Sequence, residues 1–268
     1  MILTLAAFFS RDARRALSYR LAFLLDLVGV VFKASTFYFV ARLIGTAAAP
    51  QLQEYGGQYF PFVLIGIAFA SYQTVGLNAF AQSLRQEQFM GTLESVLCSP
   101  VRLPMFLAGS ALWDFFYATI EIALYFLVAF VAFGLTFTSA ALGPALVSAL
   151  LTLTAFMGLG VLSAAFILRF KRGDPVAWLI ASVGELFGGE YFPVRILPDR
   201  MQTISHWIPM THALDALRKT LMLGAGFADI SPDLIYLGVF TLLVWPIGVF
   251  AFQFALRRSQ ADGSLGHY

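Results

Sequence analysis

Long apolar segments constrain the fold of this chain more than any other feature of its sequence. An α-helix needs about 20 mainly apolar residues to cross the hydrocarbon core of a bilayer. Segments of about this character lie near 21–44, 58–80, 105–134, 141–168, 176–189 and 234–256. Only 12% of the residues are charged, whereas a soluble domain usually has about 25%. The sequence therefore predicts an all-α, polytopic membrane protein with six transmembrane helices in one domain over residues 1–268.

The distribution of basic residues predicts the orientation of these helices. If the N-terminus is cytoplasmic, most of the 17 Lys and Arg residues fall in cytoplasmic segments. The outer segments then hold Arg195, Arg200, Arg218 and Lys219. Because cytoplasmic loops carry the excess of basic residues, both termini are predicted to be cytoplasmic, including the tail at 257–268.

Residues 4–19 precede the first predicted span and have the pattern of an amphipathic helix. Arg11, Arg14 and Arg15 recur at helical spacing on one face, and Phe9 lies on the other. Such a helix can lie in the inner membrane interface. The alternative is an ordinary basic flank that only sets the topology.

The fifth predicted span is short and is followed by an unusual segment. Asp174 can cap its first turn, Pro175 suits that turn, and Gly188 interrupts the helix. Residues 190–207 then mix apolar residues with prolines and charges, too polar for a span and too apolar for a plain loop. We expect short re-entrant helices in the outer half of the membrane, where irregular backbone must be buried in protein. A packed extracellular loop is the alternative.

Residues 84–97 form the most distinctive cytoplasmic segment. Phe89, Leu93 and Leu97 recur at helical spacing, and Pro100 ends the pattern. An amphipathic helix in a cytoplasmic loop is a ready contact for another protein. It can equally pack against the inner ends of the chain's own helices.

Motifs for catalysis and metal binding are missing from the sequence. It has no phosphate-binding Gly-x-x-x-x-Gly-Lys-Ser/Thr, no His-Glu-x-x-His and no Gly-x-Ser-x-Gly. The single cysteine, Cys98, excludes an internal disulfide and a cysteine metal cage. A net charge of +2 without basic clusters argues against nucleic-acid binding. We therefore predict no catalytic residue and no metal site.

Two stretches resemble a known family. Residues 87–100, Glu-Gln-Phe-Met-Gly-Thr-Leu-Glu-Ser-Val-Leu-Cys-Ser-Pro, resemble the Glu-x-x-x-Gly-Thr-Leu-Glu-x-Leu-x-x-x-Pro stretch of ABC-2-type transporter permeases. The later matches to the family's Phe-Pro-x-x-x-Leu-Pro, Pro-Leu-Thr and Arg…Gly run are Phe192, Pro193, Pro198, Pro209 and Arg218. Four residues separate Pro193 from Pro198 in this sequence.

The resemblance implies a role for each piece. Residues 84–97 would be the coupling helix that docks on a separate ATPase subunit, which binds ATP and Mg²⁺. The implied contacts are Glu87, Phe89, Gly91, Thr92, Leu93 and Glu94. The helix at 4–19 would touch the same partner through Arg11, Arg14 and Arg15. Two copies of the chain would form an exporter in a bacterial-type inner membrane, among its lipids, for a substrate that the sequence does not identify.

Charged residues within the predicted spans need a separate explanation, because a charge at the centre of a bilayer is costly. Lys33 and Glu121 lie at nearly the same depth in their spans. They either line a substrate pathway or pair between helices, and we favour the pair. Glu185 is the better candidate for the pathway, because its span resembles the helix that lines it in the family. Asp26 and Asp114 match each other nearer the cytoplasm.

Other functions remain open from the residues alone. In an ion-coupled secondary transporter, Lys33, Glu121 and Glu185 would form the ion relay, although no inverted repeat supports this. A membrane scaffold protein without transport is a further alternative. Asp215, Arg218 and Lys219 are expected to be solvated or to anchor the chain at the interface, not to bind substrate.

Overall fold

The computed structural model describes residues 2–91, 103–136, 141–170 and 174–261. These residues form helices and no strand. The α-helices are α1 (Ile2–Ser18), α2 (Arg20–Ile44), α3 (Tyr59–Phe89), α4 (Leu103–Phe133), α5 (Leu142–Phe170), α6 (Pro175–Phe187), α7 (Asp199–Ser205), α8 (Pro209–Leu223) and α9 (Ser231–Ala261). Short 3₁₀ helices lie at Ala49–Tyr55 and Val194–Ile196. The predicted all-α, polytopic fold is confirmed.

By length and composition, five of these helices can cross a membrane. Their apolar spans are Leu24–Ile44, Tyr59–Glu87, Ala111–Phe133, Leu142–Phe170 and Ser231–Ser259. The remaining predicted span is α6, which has 13 residues. At about 1.5 Å per residue, α6 is too short to cross a bilayer unaided. Of the six predicted spans, five are helices long enough to cross a membrane and the fifth along the chain is a shorter helix.

Local sequence explains where α6 begins. Asp174 caps it by accepting a hydrogen bond from the Ala177 amide at 2.9 Å, as the sequence predicts. The other carboxylate oxygen accepts a hydrogen bond from the Ser163 hydroxyl group of α5. Pro175 occupies the first turn. The start of α6 is therefore tied to α5 as well as capped.

Helix α3 lies at the centre of the bundle. In an 18-residue window of its apolar span 72% of the residues are buried, against 11% in the corresponding windows of α2 and α9. Helix α3 packs on α5 at a glycine contact, where a Cβ at Gly160 would lie 2.0 Å from the Gly76 carbonyl oxygen. Helix α9 approaches α5 in the same way, since a Cβ at Gly248 would lie 2.9 Å from the Gly158 oxygen. Small residues let membrane helices pack at this separation.

The bundle has two ends, which we name by the elements that they carry. The proximal end carries α1, the C-terminal end of α3 and the N-terminal end of α4. The distal end carries the 3₁₀ helix Ala49–Tyr55, the helices α7 and α8, and the connection that precedes α7. The sequence motifs lie at both ends.

Candidate functional site

Helix α1 packs along the first half of α4 through aromatic side chains. The rings of Phe8 and Phe106 meet edge to face, with centroids 5.7 Å apart, and Phe9 meets Trp113 at 5.6 Å. Gly109 makes room, because a Cβ there would lie 2.6 Å from the Phe8 ring. The apolar face of α1 therefore lies on the protein.

The opposite face of α1 carries the three predicted contact residues. Arg11, Arg14 and Arg15 are exposed. Arg11 pairs with the neighbouring Asp12 at 2.8 Å. The helix runs from residue 2 to residue 18, whereas the sequence predicts 4–19.

A cleft of about 600 Å³ opens at the proximal end between α1, α3 and α4. Arg11 and Arg15 line one wall, and Glu87 and Met90 line another. Asp114 contributes from α4, together with Asp12, Ala16, Tyr19, Gln82, Ser83, Gln86, Phe106 and Trp113. The structure thus brings the basic face of α1 next to the start of the predicted coupling segment.

The predicted helix at 84–97 differs from what the structure shows. Residues 84–89 are the last turns of α3, not a separate helix, because Leu84 is fully buried in the bundle core and no breaker precedes it. Gly91 then has φ 66°, in a turn that follows the helix. Phe89 is 81% exposed at the end of α3. Thr92, Leu93 and Glu94 lie outside the described residues.

The intramembrane charges form a loose cluster and not the favoured pair. Among the ion pairs of the described residues, none joins Lys33 to Glu121. Glu121 instead lies close to the Ser71 side chain of α3. Lys33 is exposed on α2, where it acts electrostatically on both Glu121 and Glu190. Matching depth along two helices did not establish which way each side chain faces.

Glu190 is the site residue that sequence reasoning missed. Its side chain is buried, and burial raises its pKa to about 7, although the nearby Tyr191 hydroxyl group and the charge of Lys33 oppose the shift. Tyr191 also lies close to Glu185, which is exposed near the end of α6. The ring of Tyr191 stacks on Phe37 of α2, with centroids 5.5 Å apart. The signal available in the sequence was a glutamate directly after Gly188 and Gly189, the two glycines that follow α6.

Arg218 is buried, which corrects the expectation that it is solvated. Its Nε donates to the Phe62 carbonyl at 3.1 Å, and its Nη2 donates to the Glu190 carbonyl at 3.1 Å. Burial lowers its pKa to about 10. Gly66 makes room, because a Cβ there would lie 2.1 Å from the Glu190 oxygen and 2.9 Å from Arg218. Irregular backbone after α6 supplies a carbonyl group that a regular helix would not have free.

Asp215 lies beside Arg218 at the distal end. The Tyr55 hydroxyl group donates a hydrogen bond to its carboxylate. Burial raises the pKa of Asp215. Tyr55 and Asp215 line a pocket of about 250 Å³. Glu54 and Arg195, which form an ion pair, also line it. Asp215 is therefore also less solvated than the sequence suggests.

Lys219 completes the set of distal charges. It donates to Asp233 at the start of α9, at 3.1 Å. His212 of α8 lies 2.8 Å from the other oxygen of that carboxylate. Lys219 therefore joins two helices, in addition to any interfacial contact.

The second sequence motif surrounds these groups. Pro193 is buried and Phe192 is half-buried, whereas Pro198 is exposed just before α7. Pro209 is buried in the first turn of α8. Residues 190–207 contain the 3₁₀ helix Val194–Ile196 and α7. Two short helices occur where the sequence leads us to expect them.

Comparison with protein families gives a match. The family model described as ABC-2 type transporter matches residues 3–222. That range includes α1, the cleft, the charged cluster and Arg218. No curated protein matches the chain.

Proposed function

Because the chain belongs to the ABC-2 type transporter family, we propose that two copies of it form the substrate pathway of an exporter driven by a separate ATPase subunit. Its family and its apolar helices make it a multi-pass transmembrane permease. A permease of this family is the membrane component and not itself the catalytic ATPase. ATP and Mg²⁺ are accordingly assigned to the partner.

The proximal cleft is the observation that carries the ATPase assignment. It places Arg11 and Arg15 of α1 beside Glu87 and Met90 at the end of α3. Phe89 projects next to it, 81% exposed. An exposed aromatic anchor with charged neighbours is the composition of an interface hot spot. The proposed docking surface is therefore Arg11, Arg15, Glu87 and Phe89, continued by the sequence from Thr92 to Glu94.

The exposure of α2 supports the second copy. Only 11% of the residues in an 18-residue window of its apolar span are buried, and Lys33 is exposed within the span. A charge facing lipid at this depth is costly, whereas one facing protein or a water-filled path is not. A partner copy opposite α2 would enclose Lys33, Glu121 and Glu185 in a pathway between the two permeases.

Docking of the ATPase at the proximal end fixes the proposed orientation. The proximal end would then face the cytoplasm of a bacterial-type inner membrane, with both termini on that side. The distal end would lie at the outer surface, with the segment 190–207 re-entering the outer half of the bilayer. Motion of the ATPases would reach the bundle through α3, because Glu87 and Phe89 of the docking surface belong to this central helix.

Removal of the Phe89 ring tests the docking surface. The chain carries an affinity tag and is coexpressed with a candidate phosphate-loop ATPase from the same organism, and the copurified ATPase is quantified. Phe89→Ala should lower the yield of ATPase at least about tenfold, since an anchor residue contributes about 2 kcal/mol or more. Phe227→Ala, also at an exposed phenylalanine but near the distal end, is the control. Equal ATPase recovery with both variants would contradict the proposal.

The charged cluster also contains one feature that favours the alternative function, an ion-coupled transporter. An ion-coupled transporter needs a group that exchanges protons near neutral pH, and Glu190 has such a pKa. Transport in sealed vesicles separates the two functions. Uptake that requires a proton or sodium gradient and ignores ATP would favour the rival.

A further inference from the structure

His212 lies at the junction of three elements of the distal end. Its Nδ1 is 2.8 Å from an Asp233 carboxylate oxygen of α9. Its Nε2 is 3.0 Å from the His206 carbonyl oxygen, just after α7. The ring stacks on Tyr236 of α9, with centroids 3.9 Å apart. One side chain of α8 therefore contacts both of its neighbours.

The two partners determine the protonation of the ring. A carbonyl oxygen can only accept, so Nε2 must carry a proton for this hydrogen bond. The second Asp233 oxygen accepts a hydrogen bond from Lys219 at 3.1 Å, which favours an ionised carboxylate. Nδ1 must then carry a proton as well. We infer that His212 is an imidazolium that ties the α7–α8 connection to α9, and that its deprotonation releases this tie.

The charged groups that face the ring support its positive charge. Asp233 contacts it from α9, and Asp215 acts on it from α8. Lys219 lies on the far side of Asp233, so two carboxylates balance two cations. Tyr236 is the remaining titratable neighbour, and its hydroxyl group donates to the Trp207 carbonyl at 2.7 Å.

The pKa of His212 reflects the same contacts. Burial alone lowers this pKa, but the hydrogen bonds to Asp233 and to the His206 carbonyl raise it above the ordinary value. A base whose pKa is raised by folding stabilises the folded state below its unfolded pKa, and that contribution is lost as the pH rises through the folded pKa. The tie is thus complete in mild acid and absent in alkali.

Loss of the proton breaks one bond and spares the other. A neutral imidazole keeps a single N–H donor, and the carboxylate is the stronger acceptor. The ring therefore retains Asp233 and loses the His206 carbonyl. The Tyr236–Trp207 hydrogen bond keeps Trp207 on α9. The loosening is therefore confined to α7, which ends next to the His206 carbonyl group that has lost its donor.

Protonation can be measured directly. The full chain with ¹⁵N-labelled histidine, in lipid nanodiscs, is titrated by NMR, and His212→Gln identifies the resonance of His212. We expect its two ring nitrogens to remain mainly protonated at about pH 6.5, the ordinary midpoint of histidine. A ring that is half or more neutral at that pH overturns the inference.

Release can be measured by the distance between α7 and α9. Spin labels at Thr203→Cys and Ile235→Cys, both exposed positions, are placed in a Cys98→Ser chain diluted with unlabelled chain. The distance distribution should broaden between about pH 6 and about pH 9. In His212→Gln it should not respond to pH, whereas His206→Gln retains the carbonyl and should respond as the parent does. No response in the parent, or an equal response in His212→Gln, overturns the inference.

Discussion

The guanidinium group of Arg218 lies 3.5 Å from the centroid of the Phe62 ring, and the carbonyl group of the same Phe62 accepts its Nε–H. One residue of α3 thus contacts both the face and the edge of the cation. The Nη2 atom of Arg218 donates a hydrogen bond to the Glu190 carbonyl group. Arg218 therefore connects α8, the central helix and the irregular backbone after α6.

Removal of Arg218 should destabilise the fold. Arg218→Ala leaves the buried Glu190 carbonyl group without its donor, which costs about 1–3 kcal/mol, and removes the second donor and the cation–ring contact at Phe62. We expect a loss of about 2–5 kcal/mol in the free energy of unfolding, measured by denaturant titration in detergent micelles. Arg200→Ala, at an exposed arginine of the same end, should change it by less than about 0.5 kcal/mol. Equal effects would show that Arg218 does not anchor this end.

Addition of one methyl group at Gly66 should displace the segment that Arg218 holds. The new Cβ would lie 2.1 Å from the Glu190 carbonyl oxygen, so the backbone has to move and the variant loses about 1–3 kcal/mol. Gly238→Ala is the control, because nothing lies within 4 Å of its Cβ. That helical substitution should stabilise by about 0.5–1 kcal/mol. Thermal unfolding of both variants checks the opposite signs, and a stable Gly66→Ala protein would contradict the contact.

Glu190 should make the stability of the protein fall as the pH rises. Its folded pKa of about 7 exceeds the ordinary 4.5, so its contribution is complete below about 4.5 and lost as the pH rises through about 7. Glu190→Gln should therefore be more stable than the parent at about pH 8, by on the order of 3 kcal/mol. Unfolding curves across this range test the sign. Glu185→Gln, at an exposed carboxylate, should retain the parent's slope, and the same slope in Glu190→Gln would refute the assignment.

Double-mutant cycles can decide how Glu121 is held. We predict that the nearby Ser71 hydroxyl group donates to Glu121, which should give a coupling energy of about 1 kcal/mol between Ser71→Ala and Glu121→Gln. Lys33 makes no ion pair with Glu121 among the described contacts, so Lys33→Met should couple by less than about 0.5 kcal/mol. Unfolding free energies of the single and double variants supply both values. A larger coupling to Lys33 would restore the pair that the sequence favours.

Local features of this fold could be read from the sequence, but relationships between distant segments could not. The apolar spans and the Asp174 cap depend on neighbours in sequence, and both were predicted. The burial of Arg218 depends on carbonyl groups of Phe62 and Glu190, which tertiary packing brings together. Residues 84–89 of the predicted coupling helix continue α3, which the sequence did not reveal because the amphipathic pattern does not show that Leu84 already lies in the core, whereas residues 92–97 lie outside the described part of the chain.

Site-specific photo-crosslinking at Phe89 in cells tests the docking of an ATPase most directly. A photoreactive amino acid replaces Phe89, and in a second strain it replaces Leu43, which is 87% exposed near the distal end of α2. We predict that Phe89 crosslinks to a phosphate-loop ATPase, identified by mass spectrometry, and that Leu43 does not. Crosslinks of the ATPase to Leu43 and none to Phe89 would contradict it.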